Sequence, residues 1–311
     1  MKILLLGANG QLGQRFLSQG GLALRGNVLA ASRTGELADG RTGAIADLAD
    51  LASMEQLLDA ESPDIVVNAA AYTAVDRAET DETMATRVNG DAVDMMGRWA
   101  AGRGALVVHY STDYVFAGNA TAPYKEADPV GPTGAYGRSK LAGEEALRAS
   151  RAAHFIFRTA WVYSSVGHNF LRTMLRLGAT RDELSVVSDQ YGTPTDTSLI
   201  VEGSLAAIDR WVTGDAAERS ALEGTYHLTA SGSTSWHGFA QALLLRGADV
   251  GLIPRMPLVS AISTKDYPTP AKRPAYSVLD TDRFARTFGY DLPDWTLGVD
   301  RTLTALSALS E

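Results

Sequence analysis

Tyr136 and Lys140 stand four residues apart in the run AYGRSKLAGE, residues 135–144. In a helix that spacing puts both side chains on one face, one above the other. A free tyrosine titrates near ~10, too high for efficient proton exchange at neutral pH. A neighbouring ammonium favours the phenolate and lowers that value. A Tyr/Lys pair of this kind can hand a proton to a carbonyl oxygen as hydride arrives at the carbon. Y-x-x-x-K is common by chance, so its position decides its weight. It follows, by one loop, the segment Ser111-Thr112-Asp113, which closes an apolar run reading as a sheet strand. Ligands of open α/β sheets bind at such strand ends. There the Thr112 hydroxyl can hydrogen-bond the substrate oxygen or the tyrosine.

The elements that must position this group can be read along the chain. KILLLG at the N-terminus is a continuous apolar run, as expected of a strand buried on both faces. A turn and helix follow through residue 20. Residues 27–32 and 64–71 read as further strands, and residues 50–60 as an amphipathic helix. Residues 81–102 read as one long helix and 105–112 as the next strand. A Gly/Pro/Ala-rich loop fills 117–135, a helix 136–150 and a strand 153–163. Strand 225–230 and a helix beginning near Trp236 read as late additions to the main sheet. The alternation predicts an α/β fold: a doubly wound parallel sheet of the Rossmann type with a smaller, discontinuous α/β lobe. Residues 1–165, joined by parts of 196–232, would form the dinucleotide-binding domain. Residues 166–311 would form most of the substrate-binding lobe.

Gly7, Gly10 and Gly13 punctuate GANGQLG, between the first strand and the first helix. In that context Gly7 permits a tight turn, Gly10 lets backbone approach a pyrophosphate, and Gly13 lets the helix pack on the sheet. The helix N-terminus offers free N–H groups to phosphate. An acid at the end of the second strand would hold the ribose hydroxyls of NAD. That strand instead ends in Ser32, followed by Arg33. A guanidinium matches a 2′-phosphate, so NADPH is expected, with NADH as the alternative. Asp47 and Leu48 are spaced to flank the adenine.

Composition narrows the classes. The 311 residues are 45% hydrophobic and 21% charged, enough for a sizeable core and unlike a disordered chain. The net charge of −8 disfavours nonspecific nucleic-acid binding. Without cysteine there is no disulfide, thiol nucleophile or Cys-rich zinc site. The five histidines have no ligand spacing, so no catalytic metal is expected. The N-terminal apolar run is too short for a signal peptide, and no stretch approaches the ~20 apolar residues of a membrane span. A cytoplasmic protein is expected.

These elements, in this order, resemble the extended short-chain dehydrogenase/reductase family, and over almost the full length its dTDP-4-dehydrorhamnose reductase branch. The matching stretches include GANGQLG (7–13), DIVVNAAAYTAVDRAE (64–79), HYSTDYVFAG (109–118), AYGRSKLAGE (135–144), FRTAWVY (157–163), DQYGTPT (189–195) and YPTPAKRP (267–274). The resemblance implies reduction of the C4 ketone of dTDP-4-dehydro-β-L-rhamnose, with Thr112, Tyr136 and Lys140 as the catalytic group. It implies sugar contacts from Thr112, Asp113, Tyr114, Tyr136 and Trp161. It lines the cofactor with Gly10, Gln11, Leu12, Asp47, Leu48, Ala70, Ala71 and Tyr72, beside Tyr136 and Lys140. Lys272 or Arg273 is a candidate for the nucleotide diphosphate. Some members bridge subunits through magnesium held by glutamates. Arg15 stands where one of these would fall, which argues against a metal-bridged pair but leaves a homodimer open.

Three rival functions follow from related enzymes and proteins. A 4,6-dehydratase needs an Asp-Glu pair after the threonine; Asp113-Tyr114 lacks the glutamate. A reductase of another nucleotide-linked 4-keto-6-deoxy sugar would share every motif. A non-catalytic regulatory subunit, like that of methionine adenosyltransferase, would tolerate loss of the catalytic residues, which this chain keeps.

Overall fold

The computed structural model describes residues 1–19 and 21–308. Gly20, the last residue of the expected turn-and-helix segment, and 309–311, the end of the expected substrate lobe, lie outside the described residues. The first half alternates as β1 (Lys2–Leu6), α1 (Gln11–Ser18), β2 (Asn27–Ser32), β3 (Ala44–Ile45), α2 (Leu51–Glu61) and β4 (Ile65–Asn68). It continues with α3 (Val75–Ala78), α4 (Glu82–Thr86), α5 (Ala92–Ala101), β5 (Leu106–Thr112), α6 (Ala135–Ser150) and β6 (His154–Thr159). The main sheet has seven parallel strands in the order Gly224–His227, β6, β5, β4, β1, β2, β3. The strand order reverses between β1 and β4, creating the crevice in which doubly wound sheets take ligands.

The unbroken apolar runs are explained by burial on both faces. In β1, Ile3 and Leu5 join Phe16 of α1 and Ile200 and Ile208 of helix Thr197–Thr213. Leu4 and Leu6 face the opposite way, toward Met54 and Leu58 of α2 and Val93 and Met96 of α5. A third core gathers Tyr163, Leu171, Leu184, Phe239, Leu243, Val299 and Leu303 from the second half of the chain. Small strand pairs frame it: Glu183–Val187 with Leu258–Ile262, and Val162–Tyr163 with Thr195–Asp196.

Four element readings need correction. The strand expected over 153–163 stops at Thr159, and Val162–Tyr163 pairs elsewhere. Trp161 separates them with a positive φ of 46°. The strand expected over 64–71 ends at Asn68, because the chain must turn there against the glycine loop. The helix expected over 81–102 contains a π turn at Arg87–Asp91. Helix Trp236–Asp249 does not cover the main sheet; its Phe239, Leu243 and Leu244 belong to the third core. Its periodicity marks an apolar face but not which layer that face meets. Among the described residues, no helix is long and apolar enough to cross a membrane.

Candidate active site

The glycine loop is shaped by close backbone approach. Gly7 has φ +75°, and a Cβ there would lie 2.7 Å from the Ala70 nitrogen. A Cβ on Gly13 would lie 2.2 Å from the Gly7 oxygen. Both positions therefore exclude side chains. Gly10 caps α1 without a side-chain hydrogen bond, so the N–H groups of the first turn face the crevice unclaimed by a capping side chain. Helix Thr197–Thr213, by contrast, is closed by the Asp196 carboxylate. Gln11 reaches outward: its Oε1 accepts from Ser164 Oγ at 2.9 Å and Asn169 Nδ2 at 2.8 Å. Leu12 packs against the first core.

Beyond β2, the Ser32 hydroxyl donates to the Glu36 carbonyl at 2.9 Å, which commits it to its own loop. Arg33 is exposed and pairs with no carboxylate of the described residues. The Asp47 carboxylate accepts from Ala49 N at 3.0 Å, while the Leu48 side chain is buried in the second core. Only backbone at Leu48 is thus available to a ligand. Ala70, Ala71 and Tyr72 line the turn after β4, and Asn89 fixes it. The Asn89 amide accepts from Tyr72 N at 2.9 Å and donates to Tyr72 O at 3.0 Å and Ser139 Oγ at 3.0 Å. Asn89 sits in the π turn, a distortion that often marks functional positions.

Helix α6 carries Tyr136 and Lys140 to the end of β5. Its first N–H, that of Ala135, donates to Glu79 Oε1 at 2.8 Å, so a carboxylate from the end of α3 supplies the missing cap. A Cβ on Gly137 would meet the Tyr114 oxygen at 2.3 Å. This glycine lets the helix press onto the Thr112–Tyr114 turn and brings Tyr136 to Thr112. Thr112 Oγ1 donates to Asp113 Oδ1 at 2.9 Å and accepts from Tyr114 N at 3.2 Å. The Tyr114 ring stands edge-on to Tyr136, centroids 5.7 Å apart.

Electrostatics at the centre are those of a dry site. Burial raises the Tyr136 pKa well above that of free tyrosine; Asp113 raises it further, and the Thr112 hydroxyl opposes. Lys140 does not act on it here: its Nζ lies 3.3 Å from His109 Nε2. The expectation that the lysine lowers the phenol pKa is thus not met. Burial instead lowers Lys140 itself to about 8, against a rise from Glu144. Asp113 is pushed up to about 6 by burial, eased by Ser277 and Thr112. Its Oδ2 is buried without a hydrogen-bond partner. Such an atom is costly unless something binds it.

Trp161 flanks this centre beyond the end of β6, whose Thr159 is in register with Thr112. Among the described residues it is one of three non-glycine residues with positive φ; the other two, Ser62 and Arg151, end helices. Its indole stacks on Trp236 at 3.6 Å between ring centres. Arg273 donates to Asp76 Oδ2 at 2.6 Å and to the Tyr114 hydroxyl at 3.3 Å, while Lys272 is exposed. Arg273 thus ties the loop after residue 270 to α3. Sequence reasoning missed Glu79, Asn89, His109, Trp236 and Ser277. Glu79 and His109 lie inside quoted motif stretches, yet nothing in their spacing revealed a partner. Among the described residues, no cluster of His, Asp or Glu has the arrangement of a metal site.

Residues 1–308 match the family of the RmlD substrate binding domain. A Shigella flexneri protein named dTDP-4-dehydrorhamnose reductase is 41% identical over 98% of both chains. The chain belongs to the dTDP-4-dehydrorhamnose reductase family. Members of that family are oxidoreductases, and the solved structures agree. The Clostridium acetobutylicum reductase matches with a TM-score of 0.85 and 35% identity, covering 98% of this chain and 99% of the other. The Bacillus anthracis reductase, solved in complex with NADP, matches with a TM-score of 0.83 and 31% identity over 98% and 99%.

Proposed function

We propose that this protein reduces the C4 ketone of dTDP-4-dehydro-β-L-rhamnose to dTDP-β-L-rhamnose, with NADPH as reductant and Tyr136 as proton donor. The observation that carries this reading is the meeting of Tyr136, Thr112 and the unpartnered Oδ2 of Asp113 at one strand end. The protein's own groups fit the cofactor: the Gly7–Gly13 cradle excludes side chains, α1 opens with no capping side chain, and Arg33 is free for a 2′-phosphate. NADPH, when bound, supplies the hydride. Thr112 positions the ketone oxygen. The half-buried Tyr136 stays protonated until charge develops on that oxygen, a far stronger base than phenolate, and then gives up its proton. Asp113 Oδ2 accepts a hydroxyl of the sugar. Trp161, backed by Trp236, offers a flat apolar surface to the ring. Ser32, Asp47, Leu48 and residues 70–72 complete the cofactor wall, and 166–311 supply most of the substrate lobe.

Mixing the purified protein with NADPH and the keto sugar nucleotide tests the proposal. Loss of nicotinamide absorbance in step with formation of the 4-hydroxy sugar is expected. Stable absorbance with intact cofactor binding would instead favour a non-catalytic role.

A further inference from the structure

Lys140 is held from behind by a chain of polar groups that the mechanism above does not use. Asn68, the last residue of β4, is paired in register with His109 of β5. Both are 1% exposed, and Lys140 is 2% exposed. The Ala70 backbone N–H lies 3.2 Å from Asn68 Oδ1. A backbone N–H can only donate, so this contact fixes which amide atom is the oxygen. Asn68 Nδ2 therefore faces His109 Nδ1, at 3.2 Å, and donates to it. A neutral imidazole carries one proton, and with Nδ1 accepting that proton is on Nε2. Burial disfavours the imidazolium most, and His154 and Lys140, when it is charged, add to this. Nε2–H then points at Lys140 Nζ, 3.3 Å away. An ammonium has no lone pair to accept it; a neutral amine does.

We propose that His109, oriented by Asn68, is a positioning residue that presents an N–H to Lys140 and thereby favours its neutral amine over the ammonium. The inference rests on the reductase reading, in which Tyr136 gives up a proton each turnover and must recover one. An ammonium that faces an N–H is a stronger acid than an ordinary lysine. The Lys140 ammonium can therefore release its proton toward the phenolate one helical turn away, and the resulting amine recovers a proton from the buffered solvent. The charges around the pair are few. Glu144, one turn further along α6, favours the ammonium but is engaged by Arg158 and Arg148. His154 is the other titratable group acting on His109. Burial lowers Lys140 against the opposing effect of Glu144, and the His109 N–H at Nζ works in the same direction as burial.

Two measurements test this on the full-length protein. Imidazole nitrogen NMR of the cofactor-free enzyme, with His109 assigned by loss of its signals in His109→Gln, should show Nε2 protonated and Nδ1 bare. The opposite tautomer, or an imidazolium at neutral pH, overturns the proposal. The second is the pH profile of kcat/KM for NADPH-dependent reduction. A glutamine can turn its carbonyl oxygen to Nζ and favour the ammonium, so the alkaline limb, near pH 8 in the unmodified enzyme, should move up by about one pH unit in His109→Gln. An unmoved limb overturns the proposal. The NMR result stands apart from catalysis: an inactive enzyme with the expected tautomer would sink the reductase reading and leave the hydrogen-bond order intact.

Discussion

Glu144 lies one turn after Lys140 and is fully buried, and its partner Arg158 is 3% exposed at its side chain. Arg158 donates to both carboxylate oxygens, Nε to Oε1 at 2.9 Å and Nη2 to Oε2 at 2.7 Å. Its remaining contacts are a 3.4 Å bond to the Glu126 carbonyl and the face of Phe116. Glu144→Met would leave the guanidinium charged, dry and poorly satisfied. Stranding one member of a buried pair costs about 3–5 kcal/mol. With a urea slope of about 3 kcal/mol/M, the midpoint should fall by roughly 1 to 1.7 M. Glu144→Met with Arg158→Met should recover most of that loss, since neither charge then remains in the interior, and Arg148 can return to solvent. Equilibrium urea unfolding of the parent, Glu144→Met, Arg158→Met and the double variant measures both effects. A single-variant loss below about 1 kcal/mol, or a double variant as unstable as the sum of the singles, would refute the argument. The sign with pH follows. Burial pushes the Glu144 carboxyl up, but Arg158 more than offsets this and the net shift is downward. The pair's contribution is therefore present above the unfolded value near ~4.3 and lost as pH falls through the lower folded value.

Arg33→Ala should weaken NADPH binding by about 10- to 100-fold and leave NADH binding nearly unchanged, because one charge-assisted phosphate contact is removed; titration by nicotinamide fluorescence checks it, and equal losses for both would contradict the 2′-phosphate role. Trp161→Ala should raise KM for the sugar nucleotide by about tenfold with cofactor affinity intact, since an aromatic face is worth about 1 kcal/mol beyond its area. Asp113→Asn should show a trade of stability for function. Burial raises the Asp113 carboxyl to about 6, so the folded state binds a proton that the unfolded chain, with a value near ~3.9, does not. Stability contributed at this site is fullest below that window and falls as pH rises through 6. The variant should accordingly be more stable than the parent at pH 8, by up to roughly 2–3 kcal/mol, equal to it at pH 4, and impaired in substrate binding. A variant less stable at pH 8 would reverse that reasoning.

The sheet was legible because its strands are apolar on both faces and its turns are marked by glycine; KILLLG and GANGQLG leave few alternatives. Gly137 shows what periodicity hides: its value lies in the Cβ it lacks, which would stand 2.3 Å from the Tyr114 oxygen, a neighbour outside the helical pattern. Trp161 was picked out by its motif, but its strained backbone and its stack on Trp236 depend on how residues 75 positions apart are brought together. The Asn68–His109–Lys140 chain was silent because its members sit on two neighbouring strands and a helix, each looking like ordinary core in its own segment. The same contact explains why the lysine's expected effect on the tyrosine is absent: Nζ is turned to the imidazole.

The central claim is that Tyr136 donates the proton as the ketone is reduced. Tyr136→Phe removes one oxygen from a half-buried ring while keeping its edge-on packing against Tyr114. Turnover of NADPH with dTDP-4-dehydro-β-L-rhamnose should fall by about 10²- to 10⁴-fold, the usual contribution of a general acid, with NADPH affinity unchanged. A variant that keeps its turnover would contradict the account at its centre.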